Sequence, residues 1–378
     1  MSYRDAGENY FQTSDSIASS ERKQAKSRNK YGRPIKLSSK ILASHVDPYD
    51  HRAVYVAEAA GVIRRVVLST GERTQVTRAT APLTSIALSP KGNQLFTGCW
   101  DKNIYCTDFD TGKERRFTGH ADFVKCLLTS SINGSTVLIS GSADSTIIVW
   151  DLQTGQQRYK LKGHAGAIQD LQIDPLSWPT DRRDPLESFV VFSAGSDRVI
   201  RQWQIGLHAG FELPTSIDKP ILAHETSVWK IYFDSSGDLW TASADKTAKH
   251  LVRNRGWEPD SIFTHPDYVK DLVVSETLGL AVTACRDEEV RVWDIASGKL
   301  LCTYTGHFEE VTSLLLLRSN VVSTSIDGTI RQWSLERNDM QRFAEELEQD
   351  RRDQPQAHSS VATTAEEDAE LEALMEDD

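Results

Sequence analysis

Three residue types that together perform nucleophilic hydrolysis occur within one short stretch, at His120, Ser140 and Asp144. In serine hydrolases a histidine activates the serine and an aspartate orients the histidine. An enzyme needs one such site, but this chain repeats the trio with a serine or threonine in second place. Repetition favours a buried hydrogen-bonded network over catalysis, because buried His and Asp side chains are costly unless they are paired. The further trios are His164/Ser193/Asp197, His224/Thr241/Asp245, His265/Thr283/Asp287 and His307/Ser323/Asp327.

No other motif for chemistry is present in the sequence. A phosphate-binding GxxxxGK[ST] loop, an HExxH zinc motif, a GxSxG elbow and a Rossmann glycine fingerprint are all missing. The five cysteines are odd in number and form no CxxC pair, which argues against a disulfide framework and a zinc site. We therefore predict a protein that is not an enzyme, with no catalytic, cofactor-binding or metal-binding residues.

The elements that position these trios repeat along the chain. The aspartate positions are separated by 41, 43, 53, 48, 42 and 40 residues when counted from Ala60, which takes the place of the first aspartate. Around each aspartate, short runs such as STIIVW alternate apolar and polar residues and end at turn residues, which predicts short antiparallel strands. A tryptophan follows four of the aspartates by six residues. The aspartates are Asp101, Asp144, Asp197, Asp245, Asp287 and Asp327, and the tryptophans are Trp150, Trp203, Trp293 and Trp333.

These positions, with a Gly-His-like pair upstream of five copies, resemble the repeat of the WD-repeat β-propeller family over about residues 33–336. The resemblance implies an all-β fold, a seven-bladed WD-repeat β-propeller. It also implies that each His, Ser or Thr, Asp and Trp form a hydrogen-bonded chain between the loop before a blade and the turns of that blade. Stacking seven blades around an axis would bury faces that no single blade can bury.

Closure of the ring requires an outer strand for the last blade. The seventh copy ends at Trp333-Ser-Leu-Glu with no such strand after it, whereas residues 33–37 (RPIKL) are similar to the outer-strand segment RYKLK at 158–162. We predict that residues 33–37 pair with blade 7. Closing the ring in this way removes exposed strand edges.

The two ends of the chain differ in charge from the centre. We predict a disordered basic segment at 1–31, the propeller at 32–336 and an acidic tail at 337–378 that is helical or disordered. The tail has 14 acidic against 4 basic residues. A mobile basic segment could be a nuclear import signal or a weak nucleic-acid contact, although such patches also arise by chance. The rest of the chain is nearly neutral, so a broad nucleic-acid-binding face is not expected.

The family resemblance places a docking surface around the central channel, on the face with the Gly-His loops and the aspartate turns. Aromatic and arginine side chains are enriched at interface hot spots. The alternative is that some of these aromatic residues pack between blades. The candidate partner-binding residues on this face are Trp100, Phe123, Lys125, Trp229, Tyr268, Lys270, Arg286 and Glu310.

We expect a scaffold or adaptor for protein–protein interaction within a multi-protein complex, with one or more proteins or peptides at the propeller face and a possible second partner at the acidic tail. One alternative is a substrate receptor of a ubiquitin ligase, which Gln153 and Ala296 disfavour because some ligase-associated family members have arginine there. Another is an acidic-tailed chaperone for a basic client such as a ribosomal protein. Without a signal peptide or a long apolar run, we expect the cytoplasm or the nucleus and no membrane partner.

Overall fold

The computed structural model describes residues 20–24, 26–178 and 186–353. Within these residues, 28 strands form seven four-stranded antiparallel sheets, which we number as blades 1 to 7 in chain order. Blade 1 contains β2 Ile41–Val46, β3 Ala53–Glu58, β4 Val62–Val67 and β5 Arg73–Arg78; blade 2 contains β6 Leu83–Leu88, β7 Gln94–Cys99, β8 Asn103–Asp108 and β9 Glu114–Thr118; blade 3 contains β10 Val124–Ile132, β11 Ser135–Ser142, β12 Thr146–Asp151 and β13 Gln157–Lys162.

The remaining blades continue the same order. Blade 4 contains β14 Ile168–Ile173, β15 Ser188–Gly195, β16 Ile200–Gly206 and β17 Gly210–Glu212; blade 5 contains β18 Val228–Phe233, β19 Leu239–Ser243, β20 Thr247–Val252 and β21 Glu258–Thr264; blade 6 contains β22 Val269–Ser275, β23 Leu280–Cys285, β24 Val290–Asp294 and β25 Leu300–Tyr304; blade 7 contains β26 Val311–Leu317, β27 Asn320–Ser325, β28 Thr329–Ser334 and the N-terminal strand β1 Ile35–Lys36. The seven-bladed propeller expected from the repeat is confirmed.

The hydrophobic core lies between blades. Each second strand is almost fully buried because neighbouring blades cover both of its faces, as for β3 and β23, whereas an outer strand such as β5 is mostly exposed. One core cluster joins Val137 and Ile147 of blade 3 to Leu171, Phe189 and Trp203 of blade 4. A blade therefore depends on its neighbours to remove its apolar side chains from water.

The ring closes where the sequence predicted. Strand β1 pairs antiparallel with β28, with Ile35 opposite Ile330 and Lys36 opposite Thr329. The innermost strands β26 and β2 are also in contact, and a shared core cluster contains Leu37, Val54 and Ile330. Blades 7 and 1 are thus joined by packing in the same way as the other neighbouring blades.

Residues 20–31 differ from the disordered segment that we expected. Residues 20–24 and 26 have helical backbone, and Lys26 forms ion pairs with Glu288 and Glu289. The contact arises because blade 6 presents several carboxylates to these basic residues. The composition of residues 1–31 alone does not reveal this match of charges. Residues 1–19 lie outside the described part of the chain.

Residues 207–220 are longer than the corresponding connection in other blades, and they supply strand β17 and a short helix α1, Pro214–Asp218, which complete blade 4. After blade 7 the chain enters helix α2, Arg337–Asp353. Residues 341–353 of this helix belong to a second unit of the chain. Part of the acidic tail is therefore helical, and residues 354–378 lie outside the described residues. No helix in residues 20–24, 26–178 or 186–353 is long and apolar enough to cross a lipid bilayer.

Candidate functional site

Blade 3 brings the first trio together with its tryptophan. His120 Nδ1 lies 3.0 Å from Asp144 Oδ2, and His120 Nε2 lies 2.7 Å from Ser140 Oγ. Trp150 donates its indole N–H to the same Ser140 Oγ over 2.8 Å. The loop before the blade is tied down as well, because the amide of Ala121 donates to Asp144 Oδ2 over 2.8 Å.

The partners of His120 fix its tautomer. A carboxylate only accepts hydrogen bonds, so Nδ1 carries the proton that is donated to Asp144. Burial lowers the pKa of His120 although Asp144 opposes this shift, and a neutral ring therefore accepts at Nε2. Ser140 then donates its hydroxyl hydrogen to His120 and accepts from Trp150. Every strong donor and acceptor in this network has a partner.

The aspartate of the network remains ionised over a wide pH range. Burial alone would raise the pKa of Asp144, but hydrogen bonds from Thr146, Ala121 and His120 lower it to about 2. Ser140 is 0% exposed. Because a substrate cannot reach a hydroxyl that is both fully buried and engaged by His120 and Trp150, the geometry does not present Ser140 as a nucleophile.

The arrangement recurs in three further blades. Blades 4 and 7 have all four members, whereas blade 5 has Leu251 in place of the tryptophan. The distances are 2.9 Å for His164–Asp197, 2.7 Å for His164–Ser193 and 2.7 Å for Trp203–Ser193 in blade 4; 2.8 Å for His224–Asp245 and 2.7 Å for His224–Thr241 in blade 5; and 2.9 Å for His307–Asp327, 2.7 Å for His307–Ser323 and 2.8 Å for Trp333–Ser323 in blade 7.

Blade 6 departs from the expected network, so the trio His265/Thr283/Asp287 needs correction. Thr283 Oγ1 bonds His265 at 2.8 Å and Trp293 at 2.9 Å. His265 Nδ1, however, donates to the carbonyl oxygen of Phe263 over 3.1 Å. Asp287 instead accepts two hydrogen bonds from the Arg291 guanidinium, at 3.1 and 2.5 Å. A bidentate charged pair is stronger than a bond from a neutral imidazole.

The propeller has a central channel with a volume of about 860 Å³, which the innermost strands of all seven blades line. Six of the eight candidates line it: Trp100, Phe123, Lys125, Trp229, Lys270 and Glu310. Trp100 and Phe123 stack with their ring centroids 5.2 Å apart. Trp100 is 45% exposed and Phe123 is 38% exposed, so this aromatic pair is open to solvent.

Two lysines flank the indole of Trp229 in the channel. Lys270 Nζ lies 3.4 Å from the ring centroid and Lys125 Nζ lies 5.5 Å from it. Lys270 is also paired with Glu310 at 2.9 Å, whereas Lys125 donates only to the neutral amide oxygen of Gln169 at 3.2 Å. Burial lowers the pKa of Lys125, and the charge of Lys270 lowers it further.

The other two candidates, Tyr268 and Arg286, do not line the channel. The Arg286 guanidinium lies 5.2 Å from the Tyr268 ring centroid, and the Arg286 amide donates to the Tyr268 carbonyl over 2.8 Å. The two residues therefore satisfy each other on neighbouring loops. Their separation from the other six shows that a position beside a repeat column does not by itself place a side chain in the channel.

The channel also contains a group of charged residues that was not predicted from the sequence. Lys230 Nζ lies 3.2 Å from Asp170, and Asp170 also accepts the Ile231 amide of the next blade. Asp271 likewise accepts the Leu314 amide of blade 7, and burial raises the pKa of Asp271 to about 6. The sequence does carry a signal for this group, because Asp170, Lys230 and Asp271 are charged residues inside the innermost strands β14, β18 and β22.

The ring of four-stranded blades and its repeated networks define a class of rigid propellers that are generally non-catalytic interaction domains. The family model for the WD domain, G-beta repeat, matches residues 71–108, 112–151 and 298–334. An uncharacterized WD repeat-containing protein of Schizosaccharomyces pombe is 34% identical over 385 residues, which cover 97% of this chain and 98% of that relative. The chain therefore belongs to the WD-repeat family.

More distant relatives share parts of the chain. The nuclear distribution protein nudF of Aspergillus niger is 27% identical over 52% of this chain and 41% of its own length, and the pre-mRNA-processing factor 19 of Mus musculus is 24% identical over 47% and 32%. Among solved structures, the computationally designed Ika8 protein matches with a TM-score of 0.57 and 25% identity, covering 78% of this chain and 83% of that one. The chain thus covers less than half of these two natural relatives.

Proposed function

We propose that this protein is a non-catalytic scaffold that binds a partner protein at the mouth of its channel. One observation carries the proposal: an exposed Trp100–Phe123 stack lines the same channel as Trp229, whose ring has two lysines over or near it. The residues come from different blades and are held by a rigid ring. Interface hot spots have this composition, with large aromatic side chains next to charged groups.

The charges in the channel favour a partner segment that carries both an apolar anchor and a negative group. Lys230 is paired with Asp170 and Lys270 with Glu310. Lys125 has a neutral partner only, and its burial makes the unpaired charge costly. A carboxylate from the partner would compensate Lys125, while the exposed aromatic pair would take up an apolar side chain.

The test is affinity purification with mass spectrometry of bound proteins, using wild type, Trp100→Ala, Lys125→Ala and a matched control. Leu300→Ala is a suitable control because Leu300 is a 46% exposed apolar residue on the outer strand of blade 6. We expect the same partners to be lost with both channel variants and kept with the control. Thermal melting establishes that all variants fold. Partners that are retained by both channel variants would refute this site.

The ubiquitin-ligase receptor and the chaperone for a basic client stay predictions from the sequence. The acidic residues on which the chaperone alternative depends lie mostly at 354–378, outside the described residues. A chain ending at residue 336 separates the alternatives in the same purification. Loss of a basic partner with the tail would favour the chaperone, and retention of a multi-protein complex favours the scaffold.

A further inference from the structure

Three carboxylates at blades 6 and 7 already hold a ligand, which is the chain's own basic segment. We call the surface formed by Glu288, Glu289 and Glu309 the acidic groove. Glu288 and Glu289 follow the aspartate turn of blade 6, and Glu309 follows His307 in the loop before blade 7. The next residue, Glu310, lines the channel. The groove is thus a neighbour of the channel mouth but is built from different residues.

The basic segment fits the groove charge by charge. Arg22 Nη2 and Lys26 Nζ each lie 2.8 Å from a different oxygen of Glu288. Lys26 also lies 2.8 Å from Glu289 Oε1, and Lys23 lies 2.8 Å from Glu309 Oε1. Residues four apart share one face of a helix, so a helical turn can present Arg22 and Lys26 to the same carboxylate.

With the segment in place, the Glu288 side chain is only 6% exposed. Adjacent carboxylates that are largely withdrawn from water repel each other and favour a bound cation. Burial raises the pKa of Glu289, and Lys26 opposes that shift. Asp287 adds no free negative charge here, because Arg291 holds it. The groove is therefore suited to a cationic ligand.

The N-terminal chain is held very differently on either side of residue 28. Residues 29–36 are anchored by Arg331, which is 1% exposed and donates to Asn29 and to the Tyr31 carbonyl, and by the pairing of β1 with β28. Residues 20–24 and 26, in contrast, contribute no buried side chain to the core. The Arg22 and Lys23 side chains are 59% and 36% exposed in their ion pairs, so solvent weakens these two attachments.

This difference allows one half to leave while the ring stays closed. We propose that the acidic groove is a docking site for a basic helical segment of a partner protein, and that residues 20–26 are an exchangeable internal ligand of that groove. The partner segment would carry two cations four residues apart that bind Glu288 and Glu289, and a third that binds Glu309. Docking then releases residues 20–26 beside the channel mouth.

The test uses the full chain and a fluorescent peptide of residues 20–31 added in trans, with binding followed by anisotropy. In the variant Arg22→Ala/Lys23→Ala/Lys26→Ala the groove lacks its internal ligand, so we expect the peptide to bind about tenfold more tightly than to wild type. The matched control is Arg28→Ala/Lys30→Ala, which removes two cations of the same segment that make no ion pair with the groove. Its affinity for the peptide should equal that of wild type.

Two further measurements decide the outcome. Adding Glu288→Gln and Glu309→Gln to the triple variant should abolish the gain in affinity, and a gain that persists would place the peptide elsewhere. In wild type, a zero-length carbodiimide crosslink between Lys26 and Glu289 should weaken when excess peptide is present. Equal peptide affinity in the triple variant and wild type, or a crosslink that the peptide does not reduce, would overturn the proposal. Melting curves show whether each variant keeps the closed ring.

Discussion

Blades 3 and 6 both carry a histidine, a hydroxyl residue, an aspartate and a tryptophan at the same repeat positions, yet they bind their aspartates differently. In blade 3, Asp144 accepts from His120 and from the preceding loop. In blade 6, Asp287 is held by Arg291, and His265 donates to a backbone carbonyl instead. The serine or threonine, the histidine Nε2 and the tryptophan keep the same contacts in both blades. The partners of the aspartate and of the histidine Nδ1 therefore differ between these two blades, whereas the hydrogen bonds of the hydroxyl residue to the histidine Nε2 and to the tryptophan are the same.

The two blades differ at the residue two positions before the tryptophan, which is Ile148 in blade 3 and Arg291 in blade 6. Arginine at this position does not always take the aspartate. In blade 4, Arg201 binds Glu212 at 2.7 Å, and in blade 7 Arg331 binds Asn29 at 2.8 Å. The guanidinium binds the acceptor that lies within its reach, and in blade 6 that acceptor is Asp287.

The largest effect that tests the comparison is expected for Asp287→Ala. This change leaves the buried Arg291 guanidinium without its carboxylate, which should lower the free energy of unfolding by about 3 kcal/mol. The double variant Asp287→Ala/Arg291→Met should recover most of that loss, because it removes the unpaired charge. Urea unfolding of the single and double variants measures both values. A double variant as unstable as the single one would contradict the role assigned to Arg291.

Asp144→Ala should cost somewhat less, about 2 kcal/mol, because it orphans neutral donors on His120, Ala121 and Thr146. The only charged group that loses a partner, Lys160, is 27% exposed and can be solvated. The same urea experiment applies. Asp110→Ala is the control, since Asp110 is an exposed turn aspartate and should change stability by under about 0.5 kcal/mol. If Asp144 and Asp110 gave equal losses, the network would not stabilise blade 3.

The next largest effect should be the loss of unfolding free energy that His265 of blade 6 causes when the pH falls. Burial, with the charge of Arg291, lowers the pKa of His265 to about 4, from an ordinary value of 6.5. Between these values the unfolded chain binds the proton and the folded chain does not, so this residue's contribution to stability is complete above pH 6.5 and is lost as the pH falls toward 4. Relative to pH 7, the loss at pH 5 should be about 1–2 kcal/mol.

The measurement compares unfolding free energies at pH 7 and pH 5 for wild type and His265→Phe. The phenylalanine variant takes up no proton at this site, so its stability should fall less between the two pH values. Identical pH dependence in the two proteins would show that His265 titrates normally in the folded state.

The smallest effect is expected at the rim of blade 3. Lys160 Nζ lies 3.6 Å from Asp144 Oδ2, and the lysine side chain is 27% exposed. Ion pairs of this kind contribute little, so Lys160→Ala should change the free energy of unfolding by less than about 0.5 kcal/mol. A loss as large as that of Asp144→Ala would mean that the lysine, and not His120, is the principal partner of the aspartate.

The period of the repeat and its strand alternation were sufficient to predict the seven blades and the closing strand, because both follow from local patterns. The partner of Asp287 was not predictable in this way. Arg291 and Arg331 occupy the same repeat position, and only the three-dimensional placement of Asn29 and Tyr31 explains why Asp327 keeps its histidine while Asp287 does not.

The residues of the channel were likewise only partly predictable from the sequence. Positions near the repeat columns located Trp100, Phe123 and Trp229, since the columns fix which face their loops join. The mutual pairing of Tyr268 and Arg286 depends on side-chain directions that spacing does not specify. The docking of Lys26 on Glu288 depends on residues more than half the chain apart, which no local pattern relates.

The pairing of Ile35 with Ile330 has a consequence for synthesis. A ribosome makes β1 at the beginning and its partner β28 near the end, so the nascent chain carries an unmatched strand while six blades emerge. Contacts between such distant residues are costly in chain entropy and form slowly. Completion of the ring is therefore a late event, and until then the growing protein is open to edge-to-edge association with other chains or to capture by chaperones.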